Sequence, residues 1–512
     1  MLPPSYLDQM PDAFVQLWQQ VEDEILQDVA RRIGKMDAVT PTANWQLWRY
    51  QQTEALRNDV VKLLAKYTGK SEAAIRRLLL QAATEAMERE DTIYYHYGKE
   101  PQPFEESAAL NNLLDAGARQ TCGTWQNLTA TTANTVTGAF ERTLDAAWLK
   151  VSTGAFDYKT AVKQAVDSLA DDMPMVTYPS GHKDSIEVAA RRAVLTGVNQ
   201  TCGKLQEARM DEMGCEFVET TAHGGARPSH AAWQGRRFHR GGAVDYKGKH
   251  YPDFEAATGY GTGAGLCGWN CSHTFFAVFP ELGDPPQWTQ EQLRELNARN
   301  IEWNGKKYTA YEISQMQRAR ERNVRRWKKR YLAEDAAGLD PTDAAVRLRA
   351  ARQSLAEFAQ ATGGRVDSAR TSVPKFGRSE GSRANWAAKD YEKQQKDAII
   401  IENLRTAAKL PKAAVIHLEP TKINVDALTF DDAHINAERE HRVSEEQAKQ
   451  YIRNAKISVS VWNGQFERYY GTEGAAYVNT IKHEIRTAYS RAEFDENTTA
   501  LIEEMKKNGI LG

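Results

Sequence analysis

Apolar residues recur at helical spacing along the N-terminal part of the chain. Phe14, Trp18, Val21, Ile25 and Val29 fall on one helix face, and Gly34 follows the basic turn Arg31-Arg32 as a stop signal. Ile75, Leu78, Leu79, Ala82 and Ala86 repeat the stripe after Ser71, which reads as an N-cap. Further helices are expected near 107–120, 136–150, 159–171 and 184–212, with LTATTANTVTG (128–138) as a turn or cap region between two of them. Stripes of this kind are stabilised by burial against one another. Residues 1–212 therefore predict a helical scaffold with nothing catalytic on it.

The period changes at Cys215. CEFVETTA (215–222) and HTFFAVF (273–279) read as strands entering and leaving a small α+β module over 213–285. Glycines such as Gly224, Gly241, Gly259 and Gly268 imply tight loops between them. Helix is expected again over 286–361. Residues 362–390, rich in Gly, Ser and Arg, read as a flexible linker or an arm that orders on a partner. The tail, 391–512, reads as a separate α/β domain. AAVIHL (413–418) is a strand, Ser444 with Gln447 a capping box, and Ile457, Val459 and Val461 alternate before the hairpin signal Asn463-Gly464. AAYVNT and HEIRTAYS add two more strands of an antiparallel sheet. The sum is a multidomain α+β protein.

Composition narrows this picture mainly by exclusion. At 512 residues the chain exceeds one core, while 41% apolar and 26% charged residues are ordinary for globular protein. A net charge of −2 gives no global pull toward nucleic acid or membrane, so any such binding must come from local patches. The opening MLPPSYLDQMPD lacks a basic region before an apolar run, and no stretch reaches the ~18 apolar residues of a membrane span. Five cysteines form no even framework. The expectation is synthesis in a reducing cytoplasm, without signal peptide, disulfides or membrane span.

Candidate chemistry lies in three places. Cys267, Cys271 and His273 give C-x3-C-x-H, a set suited to a structural zinc ion, with His230 or His223 as fourth ligand. The alternative is a pair of buried reduced cysteines beside histidines bonded to loop backbone. A free-standing zinc hydrolase lacks an evident nucleophile or general base here. Second, residues 306–331 hold ten Lys/Arg against Glu312 and Glu321. Arg320, Arg325, Arg326, Lys328 and Lys329 at its centre fit a solvated helix face, or contact with DNA phosphates or a negative protein surface. Third, His434, Arg439 and His441 cluster ahead of the Ser444 helix. They fit either a solvated capping cluster or acid–base chemistry on a phosphodiester, with Arg486 holding phosphate and Thr487 and Tyr489 sharing a strand face as further contacts.

The stretch HGGARPSHAAWQGRRF, the Tyr-Pro-Asp-Phe segment and GYGTGAGLCGWNCSHTFFAVFPELGDP resemble the signature of the phage minor capsid protein 2 family, related to the Mu-F/SPP1-type head morphogenesis proteins. The likeness covers about 1–360, with QMQRARERNVRRWKK in character. It implies a virion component made in the host bacterial cytoplasm, placed near the portal vertex among portal and capsid proteins, and engaged in head assembly, DNA packaging or ejection. It implies no catalytic residue in the glycine-rich module. The tail, through H-x3-ER-x-H, the WNG-x-x-E-x-YY hairpin, G-AAYV and IRTAYS, resembles phage-associated members of the barnase–EndoU–colicin–RelE-like nucleases. That likeness implies a metal-independent ribonuclease acting on RNA. A second class of function stays open: a phage-derived polymorphic toxin whose working end is the tail.

Overall fold

The computed structural model describes residues 2–36, 42–153, 155–173 and 175–511. The chain divides into two compact units, 1–388 and 389–512. The first begins with helices Pro4–Gln9 (α1), Asp12–Gly34 (α2), Thr42–His96 (α3), Ala108–Ser152 (α4) and Tyr158–Asp172 (α5). A two-stranded ribbon, Val176–Thr177 (β1) and Lys183–Asp184 (β2), leads to Ile186–Met213 (α6). The Phe14 stripe is core: Phe14, Trp18 and Trp125 meet edge to face.

Two expectations fail here for one physical reason. Ser71 caps no helix start, because it lies inside α3, donating to the Tyr67 carbonyl at 2.8 Å and accepting from Trp18 Nε1 at 2.9 Å. The 128–138 stretch is no turn but the middle of α4. Thr129, Thr132, Thr135 and Thr137 bond the carbonyls one turn back, which satisfies their hydroxyls within the helix.

Helices α4 and α6 cross at a reciprocal pair of small residues. A Cβ on Gly117 would stand 2.2 Å from Thr201 Oγ1, and one on Gly197 would stand 2.3 Å from Thr121 Oγ1. Thr121 in turn donates to the Gly117 carbonyl and Thr201 to that of Gly197. The two backbones approach closely only because both glycines lack a side chain.

The strands expected at 215–222 and 273–279 form as Phe217–Thr220 (β3) and, at the far end of the module, Phe275–Val278 (β7). Between them lie Pro228–Ala231 (α7), Arg237–His239 (β4), Val244–Tyr246 (β5), Lys249–Tyr251 (β6) and Phe254–Thr258 (α8). β4, β3 and β7 make one antiparallel sheet, and β5 with β6 a separate ribbon. After Gln290–Leu296 (α9), the region expected to be all helix contains a hairpin, Ile301–Trp303 (β8) and Lys306–Tyr308 (β9). Its turn is Asn304-Gly305, both at positive φ, a signal the helical reading passed over.

Ala310–Ala336 (α10) and Thr342–Ala361 (α11) follow, then Ser368–Thr371 (α12) and Arg378–Ala407 (α13), within which the two units divide. The stretch expected as a flexible linker is therefore largely helical. Val373, Phe376, Ala384 and Ala388 are buried with Val324, Tyr331, Leu348 and Leu355 of α10 and α11, so a few well-spaced apolar residues suffice to seat it. Among the described residues no helix is long and apolar enough to cross a membrane.

The second unit is a six-stranded sheet with helices. Its strands are Val415–His417 (β10), Thr429–Phe430 (β11), Ile457–Val461 (β12), Phe466–Tyr470 (β13), Gly474–Asn479 (β14) and Glu484–Ser490 (β15). The order is β10-β12-β13-β14-β15-β11. The sheet is antiparallel as expected, with one parallel pair, β11 with β15. Helix Glu445–Arg453 (α14) starts at the Ser444–Gln447 capping box, and Glu496–Lys507 (α15) closes the chain. Each helix covers one sheet face. Ala448 and Ile452 pack with Tyr469, Val478 and Ile485, whereas Leu501 and Met505 pack with Ile457, Val459 and Tyr470.

Candidate functional site

In the glycine-rich module three side chains converge. His230 comes from α7, and Cys271 and His273 from the loop entering β7; all three are buried. His230 Nδ1 and His273 Nδ1 stand 3.5 Å apart, and Cys271 Sγ lies 3.7 Å from each. A tetrahedral zinc ion, with bonds of about 2.0–2.1 Å to nitrogen and about 2.3 Å to sulfur, spaces its donors about 3.4–3.6 Å apart. The triangle, with edges of 3.5, 3.7 and 3.7 Å, is close to those spacings.

The hydrogen bonds behind the rings fix their tautomers. His230 Nε2 lies 3.0 Å from the Ala264 carbonyl, which can only accept, so that nitrogen carries the proton. His273 Nε2 lies 3.0 Å from Gln234 Oε1, which also accepts from the His223 amide, while Gln234 Nε2 donates to Asn297. Both Nδ1 lone pairs thus face inward, the orientation of metal-ligating imidazoles tied down by an outer shell. One thiol proton can satisfy only one of them. Burial first, then the neighbouring His223 and His230, pushes the His273 pKa down to about 2, so the ring is neutral.

Local sequence explains the convergence. A Cβ on Gly265 would meet the Gly259 carbonyl oxygen at 2.0 Å, so the 259–272 loop folds this tightly only with glycine there. Asn199 of α6 donates its amide to both the Cys271 carbonyl at 2.8 Å and that of His273 at 3.0 Å, clamping the ligand loop. Cys267, expected among the ligands, is buried but lies outside the converging trio; a Cβ on Gly203 would meet its Sγ at 3.4 Å. His223 lies against His273, with ring centroids 4.4 Å apart and planes tilted by 38°, and bonds its Nδ1 to the Gly224 carbonyl. Gln234 and Asn199, which orient the set, carried no signal in the sequence.

The five basic residues singled out on α10 have partners within their own unit. Lys329 pairs with Glu22 of α2, Arg325 with Glu187 of α6 at 2.7 Å, and Arg326 with Asp171 of α5 at 2.6 Å. Lys328 donates to the Thr371 carbonyl at 2.5 Å, and Arg320 lies 4.0 Å over the Phe358 ring. Arg325, Lys328 and Lys329 thus belong to an internal seam of the helical bundle, whereas Arg326 keeps 46% side-chain exposure. Beside the seam Asp23 is buried without a hydrogen-bond partner among the described residues, and burial raises its pKa to about 8.

In the second unit the expected residues fall into two groups. His434 lies in the π-helical segment Ala433–Glu438, with Nδ1 at 2.6 Å from Glu438 and 3.3 Å from Arg486, which also pairs with Asp431. Arg486 reaches them through a β-bulge. Tyr477 of β14 faces Thr487 while the next residue, Val478, faces Ile485, so Arg486 is the extra residue of β15. His441 pairs with Glu493 at 2.9 Å and faces the Tyr489 ring at 5.6 Å. Burial alone would raise Glu493, but hydrogen bonds from His441 and Ser490 outweigh it and leave its pKa lowered.

Tyr489 also shares its hydroxyl with Tyr477 at 2.7 Å, Thr487 stands two residues before it on the strand, and Arg439 is exposed. No hydrogen bond or ion pair joins the His434 and His441 groups among the described residues. The carboxylates Asp431, Glu438 and Glu493 were not anticipated. Ser490-x-x-Glu493 has capping-box spacing, which was the one available pointer to Glu493.

The family described as Phage minor capsid protein 2 matches residues 2–360. A curated relative, "Structural protein" of Lactococcus phage LL-H, is 27% identical over 254 residues, which are 46% of this chain and 63% of that protein. The chain thus spans less than two thirds of that relative's length. No solved structure matches.

Proposed function

The chain belongs to the phage minor capsid protein 2 family, and from that premise we propose that it is a head protein of the virion, docked at the portal vertex and engaged in head assembly or DNA packaging. The observation that supports this reading is the family match over 2–360, which takes in both the helical scaffold and the glycine-rich module. Mass spectrometry of purified heads, with co-purification on the portal ring, tests it. The expected result is a few copies per head that follow the portal; heads without the chain sink the reading. In the same reading the His230–Cys271–His273 trio holds a Zn2+ ion that staples the ligand loop to α7.

The second unit supports an additional reading, cleavage of RNA without a metal. The bulge that aims Arg486 at His434 carries it. Attack by the ribose 2′-hydroxyl needs a base, an acid and a cation for the phosphorane. His434 and His441 supply two imidazoles, Arg486 and Arg439 the cation, and Thr487 and Tyr489 contacts to phosphate or base. Full-length protein in EDTA should cleave RNA and the His434→Ala variant should not; inert wild-type chain across varied RNAs ends this reading. If the tail is instead a toxin's working end, an immunity gene should lie beside the coding sequence in place of portal and terminase genes.

A further inference from the structure

We propose that the zinc centre keeps one coordination position open to an adjoining cavity, and that this position takes the phosphate group of a small ligand gripped by Arg318 and Arg322. The proposal rests on the zinc reading above and goes beyond a structural staple.

Three donors are what the fold provides. Among the described residues no fourth His, Cys, Asp or Glu converges with His230, Cys271 and His273. Cys267 is packed toward Gly203, and His223 lies against the His273 ring with its Nδ1 committed to the Gly224 carbonyl. Structural zinc sites are closed by four protein ligands, whereas three protein ligands leave a position for water or an exogenous group. The three donor residues line one cavity of about 480 Å3, within the range of small-molecule sites.

The charge of that cavity decides what enters it. Its carboxylates are already engaged. Asp8 and Asp12 pair with Arg191, Glu187 pairs with Arg325, and Glu321 accepts from Gln317. Its other arginines are engaged too: Arg227 donates to the Trp269 carbonyl and Arg370 pairs with Asp367. Arg318 and Arg322 line the same cavity one helical turn apart on α10, and neither has an ion pair or side-chain hydrogen bond among the described residues. What remains uncommitted is two guanidinium groups and the open face of a divalent cation. Guanidinium binds phosphate oxygens bidentately, and a phosphate oxygen can serve as the fourth zinc donor.

Full-length protein loaded with Co2+ in place of zinc tests both layers separately. The expected spectrum has a thiolate-to-cobalt charge-transfer band and the intense visible bands of four-coordination, both lost in Cys271→Ser and kept in Cys267→Ser. Inorganic phosphate, or a nucleoside 5′-monophosphate in a parallel arm, should then change the visible bands saturably. A response to inorganic phosphate alone assigns the site to the free ion, and tighter response to the nucleotide assigns it to a phosphorylated metabolite. Arg318→Gln/Arg322→Gln should raise the half-saturating concentration about tenfold or more without changing cobalt affinity. Cobalt bands indifferent to both phosphates overturn the open position while leaving the zinc reading intact. A double variant that responds like wild type overturns the arginine grip, and a His223→Ala spectrum showing that a ligand has been lost overturns the open position. A chain that binds no cobalt overturns both.

Discussion

The two candidate sites, one in each unit, hold their histidines by opposite means. In the first, His230 and His273 are 2% exposed, and their outer nitrogens point at a backbone carbonyl and a glutamine oxygen. In the second, His434 and His441 keep side-chain exposures of 15% and 19%, and each faces a carboxylate, Glu438 or Glu493. A neutral acceptor in a dry setting keeps imidazole uncharged with its lone pair free, which is ligand chemistry. A carboxylate partner at a solvent-reachable edge orients the ring and leaves its other nitrogen free to exchange protons, which suits proton-transfer chemistry. The same residue type thus serves two chemistries, and what selects between them is the partner of the second ring nitrogen.

The comparison extends to charge in general, and it can be broken most forcefully at the buried seam. Lys329→Met removes the cation facing Glu22 and Glu187 and should destabilise the first unit by about 3–5 kcal/mol, read by denaturant unfolding. A loss below about 1 kcal/mol would mean that the seam is not insulated from water. Metal removal should come next. For zinc held at ~1,000 times its dissociation constant, chelation should lower the stability of the first unit by about 4 kcal/mol and leave the melting of the second unchanged. Equal shifts in both units would erase the distinction between ligand and acid–base histidines.

Smaller effects sharpen the contrast. Asp23 has a raised folded-state pKa, about 8 against 3.8, so the folded chain binds a proton more tightly than the unfolded one. Its contribution to stability is therefore fully present below about pH 4 and is lost as pH rises toward 8. Asp23→Asn should flatten that slope in pH-dependent unfolding. Smallest of all, Glu493→Gln at the partly exposed His441 pair should cost about 0.2–1 kcal/mol. A larger loss there would place the pair among the buried clusters.

Much of this architecture was legible because periodicity reports burial. The Phe14–Val29 stripe, the strands at 217–220 and 275–278 and the alternation of Ile457, Val459 and Val461 each announce a face that must be covered. Periodicity fails where side chains satisfy themselves locally, as the threonines of 128–138 do by bonding carbonyls one turn back. It fails again where a helix is seated by a few alanines, as at 384 and 388. Charge was read least well. The density of Lys and Arg in α10 was plain, but nothing local reveals that Glu22, Asp171 and Glu187 lie opposite. The trio was legible in composition and not in membership, because Cys267 and Cys271 are alike in sequence and only the loop path separates them. Arg486 was picked out, yet the bulge that aims it was not, since a one-residue slip between strands leaves no trace in either strand alone.

The crossing of α4 and α6 has a consequence for how such a chain can change over generations. Gly117 faces Thr201, and Gly197 faces Thr121, so an alanine at either glycine collides unless the opposite threonine has already shrunk. Two residues beyond Gly197, Asn199 clamps the metal-ligand loop, so a shift of the crossing would also displace that clamp. The four positions therefore form one unit of inheritance. Descendants should keep all four or replace them in partnered steps, and a homologue carrying alanine at one glycine with its threonine intact would show that the helices can separate after all.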